Sequence, residues 1–130
     1  MEHIIDITGL DKKFNDVHAV NNLSFHVEKG ELFAFLGVNG AGKSTTISII
    51  CGSLKKDAGT VIIDGKNIET DMEDVTKELG VVFQNSVLDS SLSVKDNLTS
   101  RAALYGIYGK QAKDRINELA ELLDFRKFIG

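Results

Sequence analysis

The sequence predicts an α/β fold, and three of its patterns carry that prediction. The continuous apolar run Leu32–Leu36 suits a strand buried on both faces. A glycine-rich stretch follows this run directly, and Ser44 to Cys51 can continue as a helix that stops at Gly52. β-type segments occur on both sides of this unit, namely Ile4–Thr8, Leu23–Val27 and Thr60–Ile63. We therefore expect a partial parallel core with an antiparallel β layer beside it.

Turn-forming residues separate these segments. We predict a turn region over Gly9–Asp16, a tight turn over Glu28–Glu31 and further turns over Asp57–Gly59 and Asp64–Gly65. The apolar run ending at Asp64 superficially resembles a strand whose last residue holds a metal ion through water. Because Gly65 follows, we interpret the Asp-Gly pair as a hairpin turn.

The second half of the chain is predicted to be mostly helical. Asp71–Glu78 suits a short helix, and Val81–Phe83 a short strand ending at Gln84, before a polar loop over Asn85–Ser91. Ser93 can cap a helix that runs to Tyr105, with Asp96 in its first turn. The last predicted helix, Gln111–Phe125, places four apolar residues on one face: Ile116, Leu119, Ala120 and Leu123.

The glycine-rich stretch Gly37–Ser44 has two glycines four residues apart followed by Lys and Ser, the pattern of a phosphate-binding loop. Glycines allow phosphate oxygens to approach backbone N–H groups, and they accept the positive backbone angles of an anion-binding nest. Lys43 supplies a positive charge for the β- and γ-phosphates, and the Ser44 hydroxyl suits Mg²⁺. The sequence therefore predicts nucleotide binding.

Composition sets outer bounds on these expectations. The 130 residues suffice for one domain at most, and a formal net charge of −4 argues against direct nucleic-acid binding. The single cysteine, Cys51, excludes an intramolecular disulfide, and its isoleucine neighbours predict a core thiol. His3, His18 and His26 show no metal-ligand spacing, which favours structural roles. No apolar run has the length of a secretion signal or of a membrane span.

Several separate features resemble the ATP-binding subunits of ATP-binding cassette (ABC) transporters. The loop and the residues after it, Gly37–Thr46, are similar to that family in detail, and Phe14 lies where the family carries an adenine-stacking aromatic residue. Gly59–Gly65 resembles the family's hairpin after the first helix, and Gly80–Gln84 its Q-loop strand and glutamine. The resemblance covers essentially the whole chain.

The resemblance implies a set of site residues. Phe14 and Val20 would hold the adenosine of ATP, and Ser44 with Gln84 would hold Mg²⁺. Lys43 and Gln84 would be the catalytic residues, with Gln84 sensing the γ-phosphate. The residues implied to bind the phosphates are Asn39, Gly40, Ala41, Gly42, Lys43, Ser44, Thr45 and Thr46.

The resemblance also implies partners and a division of the chain. Residues 85–92 would contact a transmembrane permease subunit, and a second ATP-binding subunit would complete the catalytic site. The protein would be cytoplasmic, held at the inner face of the cell membrane by that partner. Residues 1–92 would form the P-loop core and β layer, and residues 93–130 the start of a helical subdomain. The loop spelling resembles multidrug or antibiotic exporters more than importers.

The family's signature motif, its metal-binding acidic strand and its switch histidine do not occur after Gln84. We therefore expect the N-terminal portion of an ATP-binding subunit, which binds ATP and Mg²⁺ without turnover. Three alternatives stay open: a soluble ABC-type ATPase of translation or DNA repair, a P-loop kinase for a small metabolite, and a module used only for binding or assembly.

Overall fold

The computed structural model describes residues 2–36, 42–83 and 85–129. The chain forms two compact units, Met1–Leu79 and Gly80–Gly130. The first contains a sheet with two helices, and the second is helical. The subdomain boundary near residue 92 stays a prediction.

The sheet of the first unit has four antiparallel strands in the order β2-β1-β3-β4. The predicted antiparallel β layer is therefore confirmed. The strands are β1 (His3–Phe14), β2 (Val17–Glu28), β3 (Ala58–Ile63) and β4 (Lys66–Asn67).

The predicted turn region over Gly9–Asp16 is wrong. Gly9 takes a positive φ of 59°, and the register between β1 and β2 shifts next to it, so the strand passes through a bulge instead of reversing. The chain reverses only at Asn15 and Asp16, the two residues between Phe14 and its partner Val17. The Asp64–Gly65 hairpin turn is confirmed, since both residues have positive φ and Ile63 pairs with Lys66.

The predicted helices form, with shifted ends. They are α1 (Lys43–Ile50), α2 (Met72–Glu78), α3 (Val94–Leu104) and α4 (Gly109–Leu122), and a 3-10 turn follows at Arg126–Phe128. The Ser93 hydroxyl accepts the Asp96 N–H at 3.0 Å, which confirms the predicted cap of α3. Leu123 was predicted on the apolar face of α4, but it follows the last helical residue and is exposed.

One hydrophobic core joins the sheet to the helices of the first unit. Its members come from three strands and two helices, and they are Ile7, Leu10, Val20, Ile49, Ile50, Val61, Ile63 and Val75. Cys51, predicted as a core thiol, lies half-buried beside this core, and desolvation raises its pKa. A raised thiol pKa keeps the group protonated and weakly reactive.

The two strands predicted for a parallel core are absent from the described residues. Leu32 is 99% exposed, Leu36 89% and Val82 99%, and neither Leu32–Leu36 nor Val81–Phe83 is a strand. Parallel strands need hydrogen-bonding neighbours, and the sheet of the described residues contains none of parallel direction. Phe33 and Phe35 do pack on the sheet, since both rings lie against Phe25 of β2 with centroids 5.2 and 5.4 Å away.

None of the helices in the described ranges combines the length and the apolar character that crossing a bilayer requires.

Candidate functional site

The site is built where β2 meets the beginning of α1. Gly42 directly precedes this helix and has a φ of 84°, a backbone angle that L side chains rarely adopt. A Cβ atom on Gly42 would lie 2.3 Å from the Ala19 carbonyl oxygen of β2. A glycine is therefore required here both by the backbone angle and by the approach of the neighbouring strand.

The first turn of α1 is prepared for a negative charge. Among the described residues no side chain caps the helix, and its first turn contains no acidic residue. The first N–H groups of an α-helix have no acceptor inside the helix, and the helix dipole is positive at this end. Lys43 occupies the first helical position and adds a formal charge of the same sign. Phosphate groups bind readily at such a helix terminus.

A cavity of about 290 Å³ brings the predicted adenine-binding and phosphate-binding residues together. Phe14 is 43% exposed at the tip of the β1–β2 hairpin, so it is not a core aromatic residue. The described residues lining the cavity are Phe14, Val17, Ala19, Gly42, Lys43, Ser44 and Thr45. The cavity thus joins an aromatic face to a helix N-terminus with a lysine and two hydroxyl groups.

Asp57 fastens the hairpin that carries Phe14. Its carboxylate accepts hydrogen bonds from the Lys13 N–H at 2.7 Å and from the Lys12 Nζ at 3.3 Å. The backbone hydrogen bond from Lys13, followed by the contacts of Lys12, holds the pKa of Asp57 below its ordinary value despite some desolvation. The Lys12 Nζ also lies 5.3 Å from the centroid of the Phe14 ring. The ring is therefore tied to the start of β3 through its two lysine neighbours.

A second carboxylate contact lies on the same hairpin. His18 Nε2 contacts Asp11 Oδ1, and Asp11 Oδ2 accepts the Asn22 N–H at 3.3 Å. The His18 hydrogen bond is the main reason that the pKa of Asp11 is lowered. His18 is therefore structural, as predicted. His3 and His26, by contrast, stack on each other at the far end of the sheet.

Two predicted site residues lie beneath the cavity rather than in its wall. Val20 is buried in the core, where its Cγ2 would be 3.4 Å from a Cβ on Gly42. Thr46 is also buried, and its hydroxyl has no hydrogen-bond partner within the described ranges. Their contacts with a nucleotide stay predictions. Asn39, Gly40, Ala41 and Gln84 lie outside the described residues.

Sequence reasoning missed Val17 and Ala19 as cavity residues. The signal was present in the alternation of β2, because side chains two apart on a strand point to the same face. If Val17–Glu28 is recognised as one long strand, Ala19 shares a face with Val17, and Val20 turns to the core. The prediction that β2 begins only at Leu23 hid this pattern.

A larger cavity, of about 580 Å³, lies at the opposite end of α1. Its walls include Gly52, Lys56 and Met72. The Lys56 ammonium is already paired with Glu69 at 2.8 Å. A helix C-terminus carries the negative end of the dipole, which disfavours phosphate.

Comparison with known proteins points to one family. A family model described as "ABC transporter" matches residues 20–129. The chain is 34% identical over 129 residues to the probable multidrug ABC transporter ATP-binding protein YbhF of Escherichia coli K12, covering 99% of this chain and 22% of that protein. It is 31% identical over 131 residues to the bacitracin transport ATP-binding protein BcrA of Bacillus licheniformis, covering 100% of this chain and 43% of that protein.

A solved structure described as the ATP binding subunit of an ABC transporter superimposes with a TM-score of 0.84 at 25% identity. The superposition covers 97% of this chain and 52% of that one. The chain thus spans about half of this solved chain and less than half of the two curated relatives.

We predict that Gly42→Ala destabilises the first unit more than Gly30→Ala does. Both glycines have a positive φ, but a Cβ on Gly30 meets no atom within 4 Å. The free energy of unfolding of the Gly30→Ala control should therefore fall only by the strain of a left-handed alanine, about 1–2 kcal/mol. Gly42→Ala adds to this strain the clash of the new Cβ with the Ala19 carbonyl oxygen. Urea unfolding of the two variants measures the difference, and equal losses would contradict the close approach of β2.

We predict that the contribution of Asp57 to stability disappears in acid. A carboxyl group whose folded pKa is lowered stabilises the fold above its unfolded pKa of about 3.9 and loses that effect as the pH falls through the folded value. Urea midpoints of the wild type and Asp57→Ala should differ at pH 7, and the difference should shrink progressively as the pH falls below about 3.9. A difference that persists unchanged at pH 3 would show that Asp57 acts through something other than its charge.

Proposed function

The chain belongs to the ABC transporter family, and from this premise we propose that it is the N-terminal portion of an ATP-binding subunit of such a transporter. One observation carries the proposal for these residues, namely the cavity that joins Phe14 to the first turn of α1. An adenine ring and a phosphate chain require these two kinds of surface next to each other.

Each lining residue has a distinct part in the proposed binding. The Phe14 ring offers a face for stacking on adenine without selecting the base by hydrogen bonds. Lys43 and the N–H groups of the first turn would hold the β- and γ-phosphates. Ser44 would hold Mg²⁺ together with Gln84, and bound Mg²⁺ would neutralise phosphate charge during phosphoryl transfer.

The described part of the cavity favours binding over hydrolysis. Attack of water on the γ-phosphate requires a group that orients or deprotonates the water. The described lining residues include no carboxylate and no histidine. We therefore propose that this chain binds ATP and Mg²⁺ without turnover and that the full-length protein is the ATPase.

Transport through a separate membrane subunit is the proposed use of that ATPase. The two relatives above are described as serving multidrug and bacitracin transport, which supports an exporter of drug-like or antibiotic substrates. A soluble ABC-type ATPase would share the same cavity, so the partner decides between these functions. A P-loop small-molecule kinase is disfavoured because the family match extends over residues 20–129.

We propose residues 85–92 as the permease contact because their loop is held firmly while its apolar side chains remain exposed. The Asn97 side chain accepts the Asp89 N–H at 2.8 Å and donates to the Asp89 carbonyl at 3.0 Å. Arg101 donates to the Val87 carbonyl at 2.9 Å. The exposed apolar residues of the loop are Val87, Leu88 and Leu92.

A loop ordered before binding loses little conformational entropy on association, and exposed apolar side chains supply the contact area. We further propose that a second ATP-binding subunit completes the hydrolytic site of the full-length protein. The full-length protein would lie in the cytoplasm, held at the inner face of the cell membrane by its contact with the permease.

We predict that titration with ATP and Mg²⁺ yields saturable binding without phosphate release. Lys43→Ala should weaken binding about tenfold or more, since a charge-assisted hydrogen bond contributes about 1.5–3 kcal/mol. Phe14→Ala should weaken it about fivefold or more through lost stacking of about 1–3 kcal/mol. Calorimetry measures the affinities, and a phosphate assay follows the same samples.

Two matched controls accompany this titration. Lys55→Ala removes the same charge near the other end of α1, and Phe128→Ala removes an exposed ring in the second unit. Both should bind ATP like the wild type. Affinity that ignores Phe14, or phosphate release that depends on Lys43, would overturn the proposed binding mode or its lack of turnover.

We predict that the tagged protein copurifies with a membrane-embedded protein from detergent-solubilised membranes of its source cells. Leu88→Asp should abolish this association, because burying an aspartate against an apolar surface is unfavourable. Leu122→Asp introduces the same change at another exposed leucine of the second unit and should leave it intact. Copurification with ribosomes or nucleic acid instead would favour the soluble alternative.

A further inference from the structure

The outward face of the first hairpin gathers polar side chains far from the phosphate-binding end of the sheet. His3 pairs with Glu28, and Asp6 pairs with His26, across the antiparallel strands β1 and β2. Directly opposed residues of antiparallel strands point to the same face. On β2, His26 and Glu28 are two residues apart and so share a face, whereas Val27 between them is buried.

A bulge in β1 brings His3 to this same face. His3 and Asp6 are three residues apart, and in a regular strand they would point to opposite faces. The register shifts between His3 and Ile5, so that Ile5 pairs with Val27 rather than with His26. The extra residue turns His3 to the side of Asp6.

The resulting cluster has the donor atoms of a metal site. One ligand atom each from His3, His26 and Glu28 lies within 4.8 Å of the other two. The two imidazole rings are stacked, with centroids 4.1 Å apart and an interplanar angle of 11°. Both histidines are exposed and Glu28 is half-buried, so the side chains can adjust without disturbing the core.

Asp6 prepares His3 for coordination. Its Oδ2 lies 3.3 Å from His3 Nδ1. A hydrogen bond from Nδ1–H to a carboxylate places the lone pair on Nε2, as it does in many zinc sites, and makes the ring a stronger ligand. Asp6 would then be the second-sphere partner of a metal ion bound through His3 Nε2.

The surrounding charges favour a cation. The Glu28 carboxylate takes part in no ion pair within the described residues. Lys29, the next residue in the sequence, instead places its Nζ 3.9 Å from a carboxylate oxygen of Glu2. Glu31 lies on the other side, where its carboxylate accepts the Glu28 N–H at 2.8 Å. Asp6 and Glu31 thus add two carboxylates near the cluster, and Lys29 adds one positive charge beside Glu28 in the sequence.

We propose that His3, His26 and Glu28 bind Zn²⁺. Two imidazoles and one carboxylate suit this borderline ion, which often takes three protein ligands and one water. Ligand atoms around tetrahedral zinc lie about 3.4 Å apart for bonds of about 2.1 Å, so the ligand atoms must move closer together and the stacked rings must rotate until their lone pairs converge on the ion. Mg²⁺ prefers oxygen ligands and is a poor match.

Zinc at this site would clamp the beginning of β1 to the end of β2. β2 is an edge strand of the sheet, and strand ends fray most readily. A ligand that binds only the folded state stabilises it in proportion to the logarithm of its concentration. Bound zinc would therefore stabilise the edge of the sheet, and this effect would be separate from nucleotide binding.

Calorimetric titration of the nucleotide-free protein with ZnCl₂ tests the proposal. We expect one ion per chain, with His3→Ala and His26→Ala each weakening affinity at least tenfold. Asp6→Asn should weaken it about tenfold, the usual effect of removing a second-sphere partner. His18→Ala removes the histidine that Asp11 holds elsewhere on the hairpin, and Cys51→Ala removes the only thiol; both should bind zinc like the wild type.

A second measurement makes the test independent of heat signals. Zinc should raise the thermal midpoint of the wild type and of His18→Ala, but not that of His26→Ala. These ligands lie on the exposed face, so the variants should keep the wild-type midpoint without metal. Equal zinc affinity in the wild type and in His3→Ala and His26→Ala, or its loss in Cys51→Ala, would overturn the proposal.

Discussion

The close approach of β2 to the start of α1 at Gly42 is the constraint on which the nucleotide site depends. With 2.3 Å between the position of a Cβ and the Ala19 oxygen, the strand and the helix terminus can meet only through a glycine. The same approach sets Ala19 in the cavity wall and Val20 in the core beneath it. Packing of Ile49 against that core then holds the helix at a defined height above the sheet.

The β1–β2 hairpin presents a different chemistry at each end. Its turn carries Phe14, fastened by the hydrogen bonds of Asp57, and its open end carries the stacked histidines. Bulges near Gly9 and after His3 interrupt the regular alternation of side chains along this long hairpin. Residues that would otherwise lie on opposite faces of the sheet can therefore share one face. The antiparallel layer therefore supplies the proposed adenine-stacking ring and the proposed zinc ligands, and it packs against α1.

Binding and catalysis make different demands on this architecture. Binding an anion needs a helix terminus, a lysine and space, and all three lie within a few residues of Gly42. Hydrolysis needs further groups brought in from other elements, and the described cavity has no general base. Leu32–Leu36 and Val81–Phe83 contain largely exposed apolar residues, whereas apolar runs of this kind are stable when both faces are covered.

Local interactions made parts of the chain predictable from its residues. The Ser93 cap, the end of α1 just before Gly52 and the Asp64–Gly65 turn depend on neighbours within a few positions, as does the start of α1 at Lys43. Contacts distant in sequence were not predictable in the same way. Strand register and bulges set these contacts: the hydrogen bond from Lys13 to Asp57, the approach of Ala19 to Gly42 and the stacking of His3 on His26.

The two strand predictions that were wrong, for Leu32–Leu36 and Val81–Phe83, also depended on contacts distant in sequence. The hydrophobicity of Leu32–Leu36 indicates that the run can be buried, but burial needs partner strands that the run does not encode. Residue types and their spacing thus predicted a phosphate-binding loop, whose residues 37–41 lie outside the described ranges, and the helix α1 that forms directly after it. Which aromatic ring lies beside the start of α1, and which histidines meet, depended on the packing of the sheet, because cross-strand geometry is set by long-range contacts.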